Sequence, residues 1–413
     1  MASTPDRLSR PHVALAALLA VYTLSFIDRQ LVAILAEPIR RDLGLSDTEL
    51  GLLTGFAFAI FYTAFGVPVA RLADRHGRVR VIALSCAAWS LFTGATALVT
   101  SFWQMALARV GVAVGEAGGS PPSFSLIADY FPAERRATAT AIYTLGTPIG
   151  LFLGAAAGGW IAATWDWRTA FVVAAIPGLL MAPLLPLLVR EPRRAVAADA
   201  PPVTPVAVVL GDFVRRPELR LLALAAGVSA MVGWAVLNWA PAWLMRVHGM
   251  SLKDVATWFS PAIAAGMGVG ILLSGIATDR LARRSPRWNA WVPAAAFGLA
   301  GPLFALALAA PSWPWAVVLL ALPCGLFMSY VAPTFAVLQS LVPADSRSTA
   351  SAVMLFTMNI IGMGGGPLLV GVLSDRFAAA GPAGLTQAMT WLIPLFVLAA
   401  ALHLLVARAL PKR

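Results

Sequence analysis

The chain has little charge and almost no cysteine. Only 12% of its 413 residues are Asp, Glu, Lys or Arg, where soluble domains carry about 25%. The two cysteines, Cys86 and Cys324, both lie inside apolar runs, where a free thiol behaves as a small hydrophobe. A disulfide framework is thereby excluded, and no Cys/His pattern with metal-ligand spacing is present. No phosphate-binding glycine loop and no nucleophile–base pair is evident, so an enzyme is not expected, and neither is a cofactor or metal. The net charge of +11 does not point to nucleic acid, because the basic residues are scattered through short connections and form no single patch. The opening "MASTPDRLSRPH" leads straight into a full-length apolar run, so no cleavable leader is expected.

What the chain has in excess is apolar sequence, 59% of its residues. Runs of about 20 residues, the length a helix needs to cross a bilayer, recur from end to end. The expected fold is an all-α membrane protein of twelve transmembrane helices. The spans are read at 12–37, 48–70, 79–100, 103–128, 137–163, 169–189, 219–245, 255–277, 289–310, 314–340, 348–373 and 386–408. With the N-terminus placed inside, the inner segments and their flanks hold 22 Lys and Arg and the outer loops hold 6. The positive-inside rule then puts both termini in the cytoplasm of a cell (inner or plasma) membrane protein.

The sequence repeats itself. "GLSDTELG" at Gly44 matches "GMSLKDVA" at Gly249, and "ADRHGR" at Asp74 and Arg75 matches "TDRLAR" at Asp279 and Arg280. A later pair, "FPAERRATATA" and "VPADSRSTASA", aligns Pro132 with Pro343 and Arg136 with Arg347. The Pro-, Ala- and Arg-rich stretch between spans six and seven reads as a linker. The expected organisation is a six-helix bundle over 1–189, a cytoplasmic linker over 190–218 and a second six-helix bundle over 219–413. Parallel six-span repeats are a plan of secondary transporters.

At "GVPVARLADRHGRVRV" the chain resembles the major facilitator superfamily. Leu72, Asp74, Arg75, Gly77 and Arg78 match its signature, while Ala70 and Val79 depart from it. The resemblance runs over essentially the whole chain and implies a pseudo-twofold 6+6 fold. "FIDRQ" in span one and "ARVGVAVGEAGGSPPSFSLIADYFP" in span four narrow it to the spinster branch, matched at Phe26, Asp28, Arg29, Arg109 and Glu116. That branch implies transport of lysophospholipid or sphingolipid. It also implies a cytoplasmic gate at Asp74, Arg75 and Arg78, with Asp279 and Arg280 as the second copy. The alternative for these residues is a solvated, topology-setting loop.

The residues themselves raise a separate question, why four charges sit inside apolar spans. Arg109 and Glu116 are seven apart, within roughly 20° of two full helical turns, so they share a face about 10 Å apart. Asp28, on span one, falls at a depth between them. The expectation is a buried network of Asp28, Arg109 and Glu116, with Glu116 the first choice as proton carrier. A static ion cluster is the other reading. Arg29 either binds an anionic head group or neutralises Asp28. In span five Gly146, Gly150, Gly154 and Gly158 form a flat face for close packing or sliding.

The C-terminal half carries no Asp, Glu, Lys or Arg in mid-span. Its candidate cavity residues are Trp234, Asn238, Tyr330, Phe356 and Asn359, which ordinary packing also explains. One charged wall and one apolar wall suit an amphipathic cargo. The leading expectation is a proton-coupled transporter of a lipid-like amphiphile, its partners being the bilayer, that substrate and protons, and the protein a monomer. A carrier of small organic anions or drugs, and a non-transporting sensor, are the alternatives.

Overall fold

The computed structural model describes residues 11–192, 205–343 and 346–410, and every regular element among them is helical. Eleven stretches are long and apolar enough to cross a membrane, from Pro11–Ile34 to Ala383–Ala409. The remaining expected span, the fourth, is a broken helix. Phe102–Glu116 ends in a turn, and Ser120–Tyr130 resumes. The sequence "GGSPPS" causes this break: Gly118 and Gly119 weaken the helix, and Pro121 and Pro122 are tolerated at the first turn of the next piece because their missing N–H groups would have no partner there anyway.

The internal repeats are devices for starting helices. Gly44 and Gly249 adopt φ of 65° and 64°, a left-handed backbone that glycine enters without a Cβ clash. Two residues on, a serine caps the next helix in each copy. Ser46 Oγ accepts from the Glu49 N–H at 3.1 Å, and the Glu49 carboxylate accepts from the Ser46 N–H at 2.9 Å, a capping box. Ser251 Oγ accepts from the Asp254 N–H at 3.1 Å. Each capped start runs into a π-helical turn, Leu52–Phe56 and Val255–Phe259. In the later repeat, Arg136 Nε donates to the Phe131 carbonyl and Arg347 Nε to the Gln339 carbonyl, at 3.0 and 3.1 Å. Both arginines tie a helix start to the end of the helix before it.

The compact units are not the sequential halves. One comprises Met1–Leu35 and Phe61–Ala197; the other comprises Ala36–Ile60 and Ala198–Arg413. The start of span two, Asp47–Gly51, therefore packs with the C-terminal helices. A Cβ on Gly51 would lie 2.6 Å from the Pro367 carbonyl oxygen of span eleven, so hydrophobic patterning within each half could not reveal the exchange.

Within the first unit the span-five glycines pack against span one. A Cβ on Gly150 would stand 2.5 Å from the Phe26 Cβ, and one on Gly154 would stand 2.7 Å from the Ile27 carbonyl oxygen. The glycines thus hold the helix that carries Asp28 and Arg29 at backbone contact distance. Gly154→Ala is expected to destabilise the protein by about 1–3 kcal/mol through overpacking. Gly298→Ala, where nothing lies within 4 Å of the added Cβ, is expected to be neutral or stabilising by up to about 1 kcal/mol. Thermal unfolding in detergent measures both, and equal shifts would rule out the contact as the cause.

Candidate functional site

The break in span four puts Glu116 at the end of a helical piece, with its carboxylate turned to span one. Arg29 Nε donates to Glu116 Oε2 at 2.6 Å, and the two side chains are 12% and 0% exposed. Aromatic rings frame the guanidinium, whose carbon lies 4.8 Å from the Phe26 ring centre and 4.7 Å from that of Tyr62. Behind them Tyr22 stacks on Tyr143 at 4.4 Å, and Phe124 meets Tyr143 edge-on at 5.1 Å. Stacked rings of this kind fix the cation by cation–π attraction and by packing.

Asp28 faces a different neighbour. Its Oδ2 accepts from Thr93 Oγ1 of span three, and it lies within Coulombic range of Arg109 and Glu116. Arg109 is 2% exposed and feels both carboxylates. The four intramembrane charges thus act on one another, and Arg29–Glu116 is an ion pair among them. The depth argument placed Asp28 between Arg109 and Glu116, since axial rise fixes height and leaves open which face of span one turns to span four. Asp28 Oδ1 and Glu116 Oε1 are buried with no hydrogen-bond partner among the described residues.

The candidate cavity residues of the C-terminal half divide. Trp234 and Tyr330 line one small cavity beside Ser229 and Phe327. Asn238 turns back and donates from Nδ2 to the Trp234 carbonyl at 2.8 Å. Phe356 is 53% exposed, and Asn359 is half-buried on the π-helical turn Met358–Gly364 of span eleven. Neither lines the Trp234–Tyr330 cavity.

Of the candidate cytoplasmic gate, the side chains of Asp74 and Asp279 lie outside the described part, and Arg75 and Arg280 are exposed. Arg78 is buried and is the hub. It donates to Asp129 at 2.6 Å, to Ser125 at 2.8 Å and to Glu191 at 2.9 Å. Glu191 also accepts from the Val79 N–H at 2.8 Å.

A second arginine hub, not singled out from the sequence, lies at the opposite ends of the spans. Arg246, at the end of span seven, donates to Glu37 at 2.5 Å and, with both terminal nitrogens, to Asp47 at 2.7 Å each. Ser374 donates to Asp47 at 2.6 Å, and Asp375 accepts from the Asp47 and Thr48 N–H groups at 3.0 and 2.7 Å. Span eleven thus caps the start of span two. Glu37 and Asp47 are 2% and 6% exposed. These residues sit in short polar connections and read from sequence as topology-setting charges. The signal available was Asp47, three residues past the left-handed Gly44, and Glu37, three residues past the end of the Pro11–Ile34 helix. Among the described residues no group of three or more His, Cys, Asp and Glu could hold a metal ion.

The sequence profile of the Major Facilitator Superfamily matches residues 18–367. The chain belongs to the Major Facilitator Superfamily. It is thus a multi-pass membrane transporter of the kind that works by alternating access, and not an enzyme. This superfamily member is 37% identical over 366 residues to an MFS-type efflux pump of Mycolicibacterium smegmatis, covering 89% of this chain and 85% of that one. It is 30% identical over 400 residues to protein spinster homolog 1 of Bos taurus, covering 89% and 74%. Among solved structures it superposes with a TM-score of 0.87 on a bacterial homolog of the human lysosomal transporter spinster in an inward-facing, unoccupied conformation, at 31% identity and over 97% and 98% of the two chains.

Removing one partner of a buried ion pair costs more than removing both. Glu116→Leu in this transporter is therefore expected to cost on the order of 3–5 kcal/mol, with much of that recovered in the double variant with Arg29→Met. A double-mutant cycle of thermal unfolding reads the coupling, and additive single effects would show that the pair is not coupled.

Proposed function

We propose that this protein is a proton-coupled exporter of a lipid-like amphiphile, of lysophospholipid or sphingolipid type. The observation that carries the reading is the Arg29–Glu116 pair buried beside Asp28 and Arg109, with one oxygen of each carboxylate left without a hydrogen bond. Intramembrane charges usually mark transport pathways. A proton arriving at Glu116 neutralises the carboxylate and releases Arg29. The freed guanidinium, still sandwiched by Phe26 and Tyr62, can then hold a phosphate or carboxylate head group with two parallel N–H donors. Loss of the proton restores the pair and expels the anion. Asp28 is the rival carrier, since it also lies in range of Arg109.

The uncharged mid-spans of the C-terminal half and the Trp234–Tyr330 cavity suit the apolar part of such a cargo. An MFS-type efflux pump among the relatives supports export, and the resemblance to the spinster branch implies the amphiphile. A second reading, carriage of a small organic anion, draws support from 26% identity to the hexuronate transporter of Bacillus subtilis. In both readings the protein works as a monomer in the cell membrane with its termini in the cytoplasm.

The Arg246 hub acts as the outer clamp. It holds Ala36–Ile60, the link between span one and the rest of span two, to the C-terminal helices.

Two measurements test these roles. Glu116→Gln is expected to bind substrate and exchange it, yet to lose accumulation driven by a pH gradient in proteoliposomes. Full gradient-driven accumulation would return the cluster to a structural role, and loss in Asp28→Asn alone would move the proton to Asp28. Lysophospholipid copurifying with the native protein, identified by mass spectrometry, separates lipid from small-anion cargo. For the clamp, Arg246→Gln removes charge-assisted hydrogen bonds worth on the order of 1.5–3 kcal/mol each. Electron–electron distances between spin labels at Asp42 and Ala379 are expected to gain a longer population, and an unchanged distribution would reject the clamp.

A further inference from the structure

At the end of spans three and six, within the first unit, lies a cavity of about 530 Å³. Its polar lining is His76, Arg80, Arg190 and Glu191, and its apolar wall includes Pro186 and Val189. Glu191 is already committed, accepting from Arg78 Nε at 2.9 Å and from the Val79 N–H at 2.8 Å. With Asp129 on the far side of Arg78, the guanidiniums Arg78, Arg80 and Arg190 stand, among the described residues, against the carboxylates Asp129 and Glu191, leaving an excess of positive charge at Arg80 and Arg190. Arg190 is held in place through its backbone, since Tyr130 Oη donates to its carbonyl at 2.8 Å and accepts from its N–H at 2.9 Å.

Below each of these arginines runs an exposed leucine face. On span three Leu84 and Leu91, both 60% exposed, follow Arg80 at i+4 and i+11. On span six Leu180, Leu184 and Leu187, at 60%, 46% and 79%, lead up to Arg190. Those spacings place Arg80 with Leu84 and Leu91, and the three span-six leucines, each near one helix face; Arg190 lies two residues past Leu188, where the second helix ends, and spans three and six pack directly on each other. Two cations at the polar end of two apolar tracks match the outline of a phospholipid. By the distribution of Lys and Arg this end lies at the cytoplasmic leaflet, where basic pockets between spans recognise anionic head groups.

We propose that this cavity binds an anionic phospholipid of the inner leaflet, its phosphate between Arg80 and Arg190 and an acyl chain along the leucine faces. The site is separate from the Arg29–Glu116 cluster and serves as a fixed lipid anchor, not as the transport pathway. The test is native mass spectrometry of the purified full-length protein, titrated with phosphatidylglycerol or phosphatidylcholine. The wild type is expected to retain phosphatidylglycerol preferentially. The double variant R80Q/R190Q is expected to bind it roughly 30-fold more weakly. R215Q/R220Q, which removes the same charge elsewhere on the expected cytoplasmic side, is expected to change it little. Equal binding of the two lipids by the wild type would overturn the proposal whether or not the variant folds, as would equal losses in the two double variants. Displacement of phosphatidylglycerol by inorganic phosphate at equal concentration would also overturn it, by assigning the cavity to a free anion.

Discussion

An ion pair with a fully buried carboxylate sets the terms for the first unit. The Arg29–Glu116 contact joins span one to span four at a depth where an isolated charge costs several kcal/mol. Each partner is tolerable only while the other stays within hydrogen-bond reach. Much of the surrounding architecture serves that demand. The span-five glycines let span one approach to backbone contact. The Gly118–Gly119 turn ends the first piece of span four at Glu116, so the carboxylate sits beside a break in the helix. Phe26 and Tyr62 close over the guanidinium and leave it little freedom to leave.

The same chemistry recurs at both ends of the spans, once in each unit. Arg78 sits between Asp129 and Glu191, and Arg246 sits between Glu37 and Asp47. In each case one arginine is shared by two carboxylates from different segments of the chain, and backbone N–H groups donate to a carboxylate of the same set. An arginine suits this position because its rigid planar fork holds two carboxylates in fixed directions, where a lysine ammonium is a point charge on a flexible stem.

The fold was legible because its evidence is periodic and repeated. Apolar length gave the spans, and the Gly–Ser pairs at 44–46 and 249–251 gave the duplication and turned out to be a left-handed turn and a helix cap. The charges in the spans were legible as a cluster for the same reason, since they break a strong pattern. Their pairing was not, because spacing along one helix fixes height and face but not the rotation of its neighbour. Thr93 and the aromatic frame were missed because a threonine or tyrosine in a span is unremarkable by itself. Scarcity held the usable signal: the chain has five tyrosines, and Tyr22, Tyr62 and Tyr143 gather at this cluster. The Arg246 hub was hidden by its location, as charges in short connections also serve topology.

The placement of Ala36–Ile60 has a consequence for how such a protein is inherited and assembled. The sequence is a tandem duplication, yet neither half of it encodes a complete unit. A chain severed in the linker would yield a C-terminal piece lacking the helix start that Asp375 caps, and an N-terminal piece with that segment left over. The loan of one element across the duplication makes the two halves mutually dependent. A copy of either half set free in the genome would carry an unfilled vacancy or an unmatched surface, which keeps the pair fused.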